Sequence, residues 1–436
     1  MNTTPPLCIG LSLAVTWLSG NGWRRADSQV EGIYSAGFYT RLAQLAEQAC
    51  LDFLFRPDSL FIEPATLEQA PGFSSLDPTL LLTAIARETS HIGLVTTAST
   101  TFNSPYLVAR QLQSLSWLSN GRAGWNVVTA LDGQRNFGLE QMPAAAERYA
   151  RAQEFVDVVQ QLWDSYPDTA LLAERRSGQY ADSGLIRPIQ HQGVYFKVEG
   201  PLSTPMHGSG RVPLFQAGAS PEGRDFAARI ADAIFAATPD IHAGVELRQD
   251  IRTRAQHHGR SPGSVRVLPG LSLYLASSRA EARDLFEATQ TEDSRMRKLK
   301  YLQTNLGLDP TTLPPDQPIT ADLLQPTPAN VRSRTHAGLL RRLILRESPS
   351  LNNLLQRPEV SPSAHWQVIG TSEDALQAIL ERYQAGAADG FIALPGGAVQ
   401  SLELVCAELV PALADLGLFR QAYQGTSLRE HLGLPY

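Results

Sequence analysis

The chain contains few cysteines and shows no pattern typical of a membrane span or a secretory signal. Its 436 residues include three cysteines, Cys8, Cys50 and Cys406, and no pair has the spacing of a metal site or a disulfide framework. Such cysteines are typical of a reducing compartment, so we expect a cytoplasmic protein without a bound metal. No apolar run reaches the roughly 18 residues of a membrane span, and residues 1–6 lack the pattern of a secretory signal.

Positive charge is also scarce. The chain has 37 Lys and Arg against 43 Asp and Glu, which gives a net charge of −6 and an isoelectric point of about 5.9. An acidic protein without a basic stripe is a poor binder of nucleic acid. The GxxxxGK[ST] phosphate loop, the HExxH zinc helix, the GxSxG elbow and the CxxC pair are all absent. The sequence therefore shows none of the local signatures of these four kinds of site.

The chain does contain a regular alternation of strand-like and helix-like segments. Eight short segments are nearly continuous in apolar residues, which is typical of parallel strands covered on both faces: 7–14, 52–57, 91–98, 122–129, 212–217, 232–238, 265–276 and 390–395. Helical patterns separate them. This order predicts an α/β fold, a (β/α)8 TIM barrel within a single domain, 1–436. An open doubly wound sheet is the alternative, disfavoured because no GxGxxG turn follows the first strand.

Two stretches are longer than an ordinary loop. Residues 166–211 contain an extended ribbon that begins at His191, and residues 290–370 are partly Pro-rich and partly helical. In a barrel enzyme such insertions usually cover the active-site mouth, and we expect both to do so.

Several polar residues interrupt apolar segments where strands end. Asn126 lies inside an apolar strand, and a buried amide there needs a partner from the protein, water or a ligand. Thr97 closes the third strand with a hydroxyl, which could line a site or simply suit strand geometry. Asp58 ends the second strand and could face the mouth or bond its own backbone.

A possible anion site follows the fifth strand. Gly218, Ala219 and Ser220 precede Pro221, so Ser220 is the predicted N-cap of a helix whose free amides could bind a phosphate. An ordinary capped helix explains the same residues. Tyr149 could reach a phosphate or simply pack, and His191 could be a general base, a neighbour of a ligand or a structural residue.

The order of these segments resembles one family throughout. The chain is similar to the nitrilotriacetate and dibenzothiophene-sulfone monooxygenases of the bacterial-luciferase-like superfamily, in segments 37–39, 55–60, 97–110, 121–129, 147–155, 196–202, 216–220, 370–374 and 389–391. The segment at 121–129 reads Gly-Arg-Ala-Gly-Trp-Asn-Val-Val-Thr and is among the most specific. One departure is the Arg56-Pro57 pair before Asp58, where the family usually has small-Ala.

The resemblance implies the cofactor and the partners. Reduced FMN from a separate NAD(P)H:FMN reductase would react with O2 and oxygenate a small organic substrate next to nitrogen or sulfur, with C–N or C–S cleavage. The flavin would contact Asp58, Thr97, Asn126 and Tyr149, and its phosphate would lie on Gly218, Ala219 and Ser220. We expect a homo-oligomer, a dimer or tetramer. A deazaflavin-dependent oxidoreductase and a non-catalytic flavin-binding barrel remain as alternatives.

Overall fold

The architecture comes from a computed structural model that describes residues 6–218, 220–291, 294–328, 331, 333–361 and 363–435. Its strands are β1 (Cys8–Ser12), β2 (Phe53–Arg56), β3 (Gly93–Ser99), β4 (Ala123–Val128), β5 (Leu171–Glu174), β6 (Gln179–Ala181), β7 (His191–Gln192), β8 (Lys197–Val198), β9 (Leu214–Gln216), β10 (Ala233–Ala236), β11 (Arg266–Leu275), β12 (Trp366–Gly370) and β13 (Gly390–Pro395). The eight predicted strand segments correspond to β1–β4, β9–β11 and β13.

These eight strands close into a parallel barrel. The order around the ring is β1-β2-β3-β4-β9-β10-β11-β13, and β13 pairs again with β1, where Ile392 lies opposite Gly10. The pairing of β10 with β11, where Phe235 lies opposite Leu268, completes the ring. The prediction of a (β/α)8 barrel is therefore confirmed, and the open sheet is wrong.

Helices follow most barrel strands where the apolar periodicity predicts them, and further helices lie in loops, in the second insertion and after the last strand. They are α1 (Ala36–Gln48), α2 (Pro64–Leu67), α3 (Pro78–Glu88), α4 (Pro105–Leu118), α5 (Ala145–Asp164), α6 (Pro221–Ile230), α7 (Ile241–His257), α8 (Arg279–Ala288), α9 (Ser294–Leu306), α10 (Arg334–Glu347), α11 (Leu351–Leu354), α12 (Ser372–Gln384), α13 (Val399–Leu404), α14 (Val410–Asp415) and α15 (Leu428–His431). Asp77 caps α3 by accepting from the Leu80 amide, and Thr371 and Asp374 form a capping box on α12. None of the helices in the described ranges has both the length and the apolar character needed to cross a bilayer.

The barrel interior is packed rather than hollow at its amino-terminal end. Apolar side chains from the inward faces of the strands meet there, among them Phe53, Phe215 and Ile392. Leu428 of α15 closes this end, and a Cβ atom on Gly124 would lie 2.7 Å from its side chain. The carboxyl ends of the strands form the opposite, open end, where the active sites of such barrels lie.

The two predicted insertions have different structures. Residues 166–211 carry two short antiparallel ribbons, β5 with β6 and β7 with β8. Residues 290–370 contain α9, α10 and α11, which bury Leu302, Leu340 and Leu354 in a cluster separate from the barrel core. The second insertion also supplies β12, a ninth strand that the sequence did not predict. It pairs with Leu271–Leu275 of β11, beyond the residues that pair with β10.

Candidate functional site

The predicted site residues converge on the open end of the barrel along neighbouring strands. Thr97 and Asn126 are paired residues of β3 and β4, and Asn126 lies opposite Phe215 of β9. Asp58 follows β2, and Gly218 and Ser220 follow β9. Ala219, which was predicted with them, lies outside the described residues. Four consecutive strands thus bring five of the predicted residues to one side of the mouth.

A chain of hydrogen bonds links the polar residues of these strands. The Thr97 hydroxyl donates to the carbonyl oxygen of Arg56 at 2.7 Å, so its remaining capacity is to accept. The Asn126 atom that faces it at 2.9 Å must therefore be the amide nitrogen Nδ2, the donor. Asn126 Oδ1 then points away. It is buried without a hydrogen-bond partner in the described part of the chain.

An orphaned amide oxygen inside a barrel mouth is a costly feature. Asn126 is only 3% exposed, and leaving a buried acceptor unpaired costs about 1–3 kcal/mol. A ligand with an N–H group at this position would satisfy the oxygen. The geometry therefore favours a ligand role for Asn126 over membership of a closed internal network.

Arg56, which marks the departure from the family pattern, has a defined structural position. Its side chain is buried, lies over the ring of Tyr39 at 5.3 Å and donates to the carbonyl oxygen of Leu13. Burial raises the pKa of the following Asp58, while the backbone of Ser59 hydrogen-bonds its carboxylate and partly offsets the rise. Asp58 is thus a half-buried carboxyl group at the rim, bonded to its own turn.

The predicted helix N-terminus is formed as expected. Ser220 caps α6, and its hydroxyl accepts from the Gly223 amide at 3.1 Å. The hydroxyl of Tyr149 on α5 lies against this first turn, because a Cβ atom on Gly223 would be 2.7 Å from it. Tyr149 also packs on Phe226, with ring centroids 5.7 Å apart. Tyr149 and Ser220 therefore meet at the positive end of the α6 dipole, which favours an anion.

An open groove of about 420 Å³ runs past this helix start, and its charges are mixed. Tyr149, Glu222, Asp225 and Arg229 are among its lining residues. With two carboxylates and one guanidinium, the groove has no excess of positive charge that would attract anions in general. A phosphate here would depend on the backbone amides of the helix start and on the Tyr149 hydroxyl.

Gln216 is a polar residue of the site that the sequence reasoning missed. Its side chain is 2% exposed, and Oε1 is buried with no partner among the described residues. A Cβ atom on Gly218 would lie 2.3 Å from Gln216 Nε2, so a larger residue at this position would displace the Gln216 amide. The signal was present, since Gln216 interrupts an apolar strand as Asn126 does.

The structure does not bring His191 to the mouth residues. Its Nε2 lies 3.0 Å from Glu154 Oε1 on α5, at the start of the ribbon β7–β8. The same carboxylate accepts from the backbone amides of Val194, Tyr195 and Phe196. Glu154 thus anchors the ribbon to α5, and this pairing is sufficient to explain His191 as a structural residue.

A second histidine, which the sequence gave no reason to select, lies within the mouth. His365 precedes β12, and its ring packs on Phe235 with centroids 5.1 Å apart. A Cβ atom on Gly270 of β11 would lie 2.5 Å from His365 Nδ1. The second insertion therefore places an imidazole inside the barrel.

Comparison with known proteins gives consistent similarities. Residues 21–342 match the sequence model of the family described as luciferase-like monooxygenase. Nitrilotriacetate monooxygenase component A of Aminobacter aminovorans is 35% identical over 100% of this chain and 98% of its own. Dibenzothiophene-sulfone monooxygenase of Rhodococcus erythropolis is 32% identical over 94% of this chain and 92% of its own.

Solved structures agree with these relatives. EDTA monooxygenase from Chelativorans sp. BNC1 superposes with a TM-score of 0.82, at 30% identity and over 99% of both chains. A riboflavin lyase solved with modified FMN and the substrate riboflavin superposes with a TM-score of 0.79, at 28% identity, over 98% of this chain and 96% of its own.

Proposed function

Because the chain belongs to the luciferase-like monooxygenase family, we propose that it is the oxygenase component of a two-component enzyme. It uses reduced FMN and O2 to oxygenate a small organic substrate next to nitrogen or sulfur. Relatives named for nitrilotriacetate and dibenzothiophene sulfone support both kinds of substrate. The name component A supports a separate partner, which we propose is an NAD(P)H:FMN reductase.

The observation that carries the proposal is the unpartnered oxygen of Asn126. The ring system of a flavin presents N–H groups along its polar edge, and Asn126 Oδ1 is a buried acceptor that no described residue satisfies. Thr97 holds the Asn126 amide in this orientation through its own bond to the Arg56 carbonyl oxygen. We propose that Asn126 binds the flavin ring directly and that Thr97 positions it.

The remaining predicted residues fit the other parts of FMN. Gly218 lies just before α6 and Ser220 caps its first turn. The Tyr149 hydroxyl lies against the same turn. We propose that these residues bind the phosphate, with the helix dipole as the main electrostatic contribution. Asp58 lies at the rim, where its half-buried carboxyl group can contact the ring or the ribityl chain.

Bound reduced FMN supplies two electrons and activates O2, so that one oxygen atom enters the substrate and the other leaves as water. Where the carbon beside nitrogen or sulfur carries hydrogen, as in nitrilotriacetate, oxygen inserted into that C–H bond gives a carbinol. Its collapse breaks the C–N or C–S bond, and the hydroxyl proton passes to the departing heteroatom. The chain itself contributes orientation, hydrogen bonds and exclusion of water, and the second insertion is the part that we propose covers the mouth.

Product analysis with isotopically labelled oxygen tests the proposal. The protein, FMN, NAD(P)H and a generic flavin reductase would be incubated under ¹⁸O2 with nitrilotriacetate, EDTA and dibenzothiophene sulfone. We expect one ¹⁸O atom in a cleaved product of at least one class. Turnover that proceeds without O2 would instead identify a deazaflavin-type oxidoreductase. Binding of FMN without any turnover would favour the non-catalytic barrel.

A further inference from the structure

His365 lies across the mouth from the proposed flavin side. In the ring order, four steps separate β3 from β11, so the two strands are diametrically opposite in an eight-stranded barrel. Thr97 belongs to β3, and His365 contacts Gly270 of β11. A ligand bound against Thr97 and Asn126 therefore leaves His365 on the facing wall.

This facing wall is aromatic. His365 packs on Phe235 of β10 with ring centroids 5.1 Å apart, and Phe235 reaches across the barrel to Phe55 of β2, on the flavin side, at 5.2 Å. Phe235 is only partly buried. The wall thus offers an apolar surface that ends in one polar ring.

The imidazole has no protein partner for either nitrogen within the described ranges. Nδ1 is buried without a hydrogen-bond partner and lies against Gly270. Nε2 is the nitrogen that remains available to a ligand. Burial lowers the pKa of His365 to about 4, and nearby His336 adds to this effect, so the ring is neutral at physiological pH. A proton on Nδ1 would be a buried donor without a partner, so we assign the single proton to Nε2.

We propose that His365 is a specificity-determining residue whose Nε2–H donates a hydrogen bond to an oxygen acceptor of the substrate. The substrate class that fits is an organic molecule with an apolar or aromatic body, packed on Phe235, and a sulfone or carboxylate oxygen that reaches His365. This inference rests on the proposed function, because it takes Asn126 and Thr97 as the flavin side.

The test compares ligands that differ only in the acceptor. Binding of dibenzothiophene sulfone and dibenzothiophene, and of methyl phenyl sulfone and thioanisole, would be measured calorimetrically on the full chain loaded with oxidised FMN. One hydrogen bond predicts that the wild-type protein binds each sulfone about two- to twelvefold more tightly than its sulfide. His365→Phe keeps an aromatic ring on Phe235 and should bring both ratios close to one.

Controls separate this inference from folding and from the flavin proposal. His257→Phe, on the exposed face of α7, should keep the wild-type ratios. His365→Gln retains a side-chain donor and should keep part of the preference, which provides a second variant if the phenylalanine protein does not fold. FMN affinity is measured in parallel, so loss of flavin binding would count against the proposed function alone.

Two results would overturn the role of His365. One is a wild-type protein that binds no sulfone more tightly than its sulfide. The other is a preference that persists unchanged in folded His365→Phe. Nitrogen-15 NMR of the histidine rings provides an independent measurement, since a proton on Nδ1 would also contradict the proposal.

Discussion

Replacing Asn126 with leucine tests the flavin side of the site most directly. Leucine has nearly the same volume but neither donor nor acceptor. In the free protein the change removes the hydrogen bond to Thr97, a loss of about 0.5–1.5 kcal/mol. It also removes the buried unpartnered oxygen, a gain of about 1–3 kcal/mol. The free energy of unfolding should therefore stay nearly constant or rise, and Tm of the flavin-free protein should change by a few degrees.

Flavin binding should respond in the opposite direction. If Asn126 Oδ1 accepts from the ring, its removal costs about 0.5–1.5 kcal/mol of binding, which raises the Kd for FMN roughly two- to twelvefold. A misoriented ring should also release more hydrogen peroxide for each product molecule. Melting of the flavin-free protein and fluorescence titration with FMN, on one preparation, measure both effects.

Thr96→Val is the matched control. Thr96 is the neighbour of Thr97 on β3, and its hydroxyl bonds Thr79 of α3 at 2.8 Å, on the outer face of the barrel. This variant should lower stability by about 1 kcal/mol and leave the Kd for FMN unchanged. The reasoning is refuted if Asn126→Leu strongly destabilises the flavin-free protein while its folded fraction binds FMN as the wild type does.

Three further predictions concern the phosphate site, the second insertion and pH. Ser220→Asp places a negative charge at the start of α6 and should weaken binding of FMN more than that of riboflavin; equal losses in fluorescence titrations would place the phosphate elsewhere. Limited proteolysis should cut first within the second insertion, residues 290–370, and FMN or substrate should slow the cutting; equal rates in both states would show that no ligand-gated cover exists. Burial lowers the pKa of His431 to about 4, below its ordinary 6.5, so its contribution to stability is complete above about pH 6.5 and is lost as the pH falls towards 4. His431→Phe, which can still stack on Tyr423, should reduce the pH slope of unfolding free energy in that window by up to about 1.4 kcal/mol per pH unit, and an unchanged slope would assign the acid sensitivity to other groups.

The barrel could be predicted because its strands are buried on both faces. A parallel strand covered by helices is nearly continuous in apolar residues, and 390–395 meets that condition without knowledge of its neighbours. β12 was missed for the converse reason. Its burial alternates along Trp366–Gly370, and it lies in an insertion that local patterns describe as irregular. Its position is determined by pairing with β11, about 90 residues earlier.

The same distinction applies to the site. Asn126 could be selected because a polar residue inside an apolar strand contradicts its surroundings. His365 does not stand out from the polar residues around it in the sequence. Only the pairing of β12 with β11 places it in the barrel mouth. Arg56 could be recognised as a departure from the family pattern. Its contacts could not be predicted, because Leu13 follows β1 and Tyr39 lies in α1, both far from Arg56 in the sequence.

The separate core of the second insertion has an evolutionary consequence. Leu302, Leu340 and Leu354 form a cluster of their own, and the segment joins the barrel through β12 and through α10, where Leu339 packs near Ala243 of α7. Mutations can accumulate in such a module without disturbing the strands that carry Thr97 and Asn126. On the proposed assignment of the flavin to Thr97 and Asn126 and of the substrate to His365, substrate range and oxygen chemistry then lie on different segments of the chain, and exchange of one segment would recombine them.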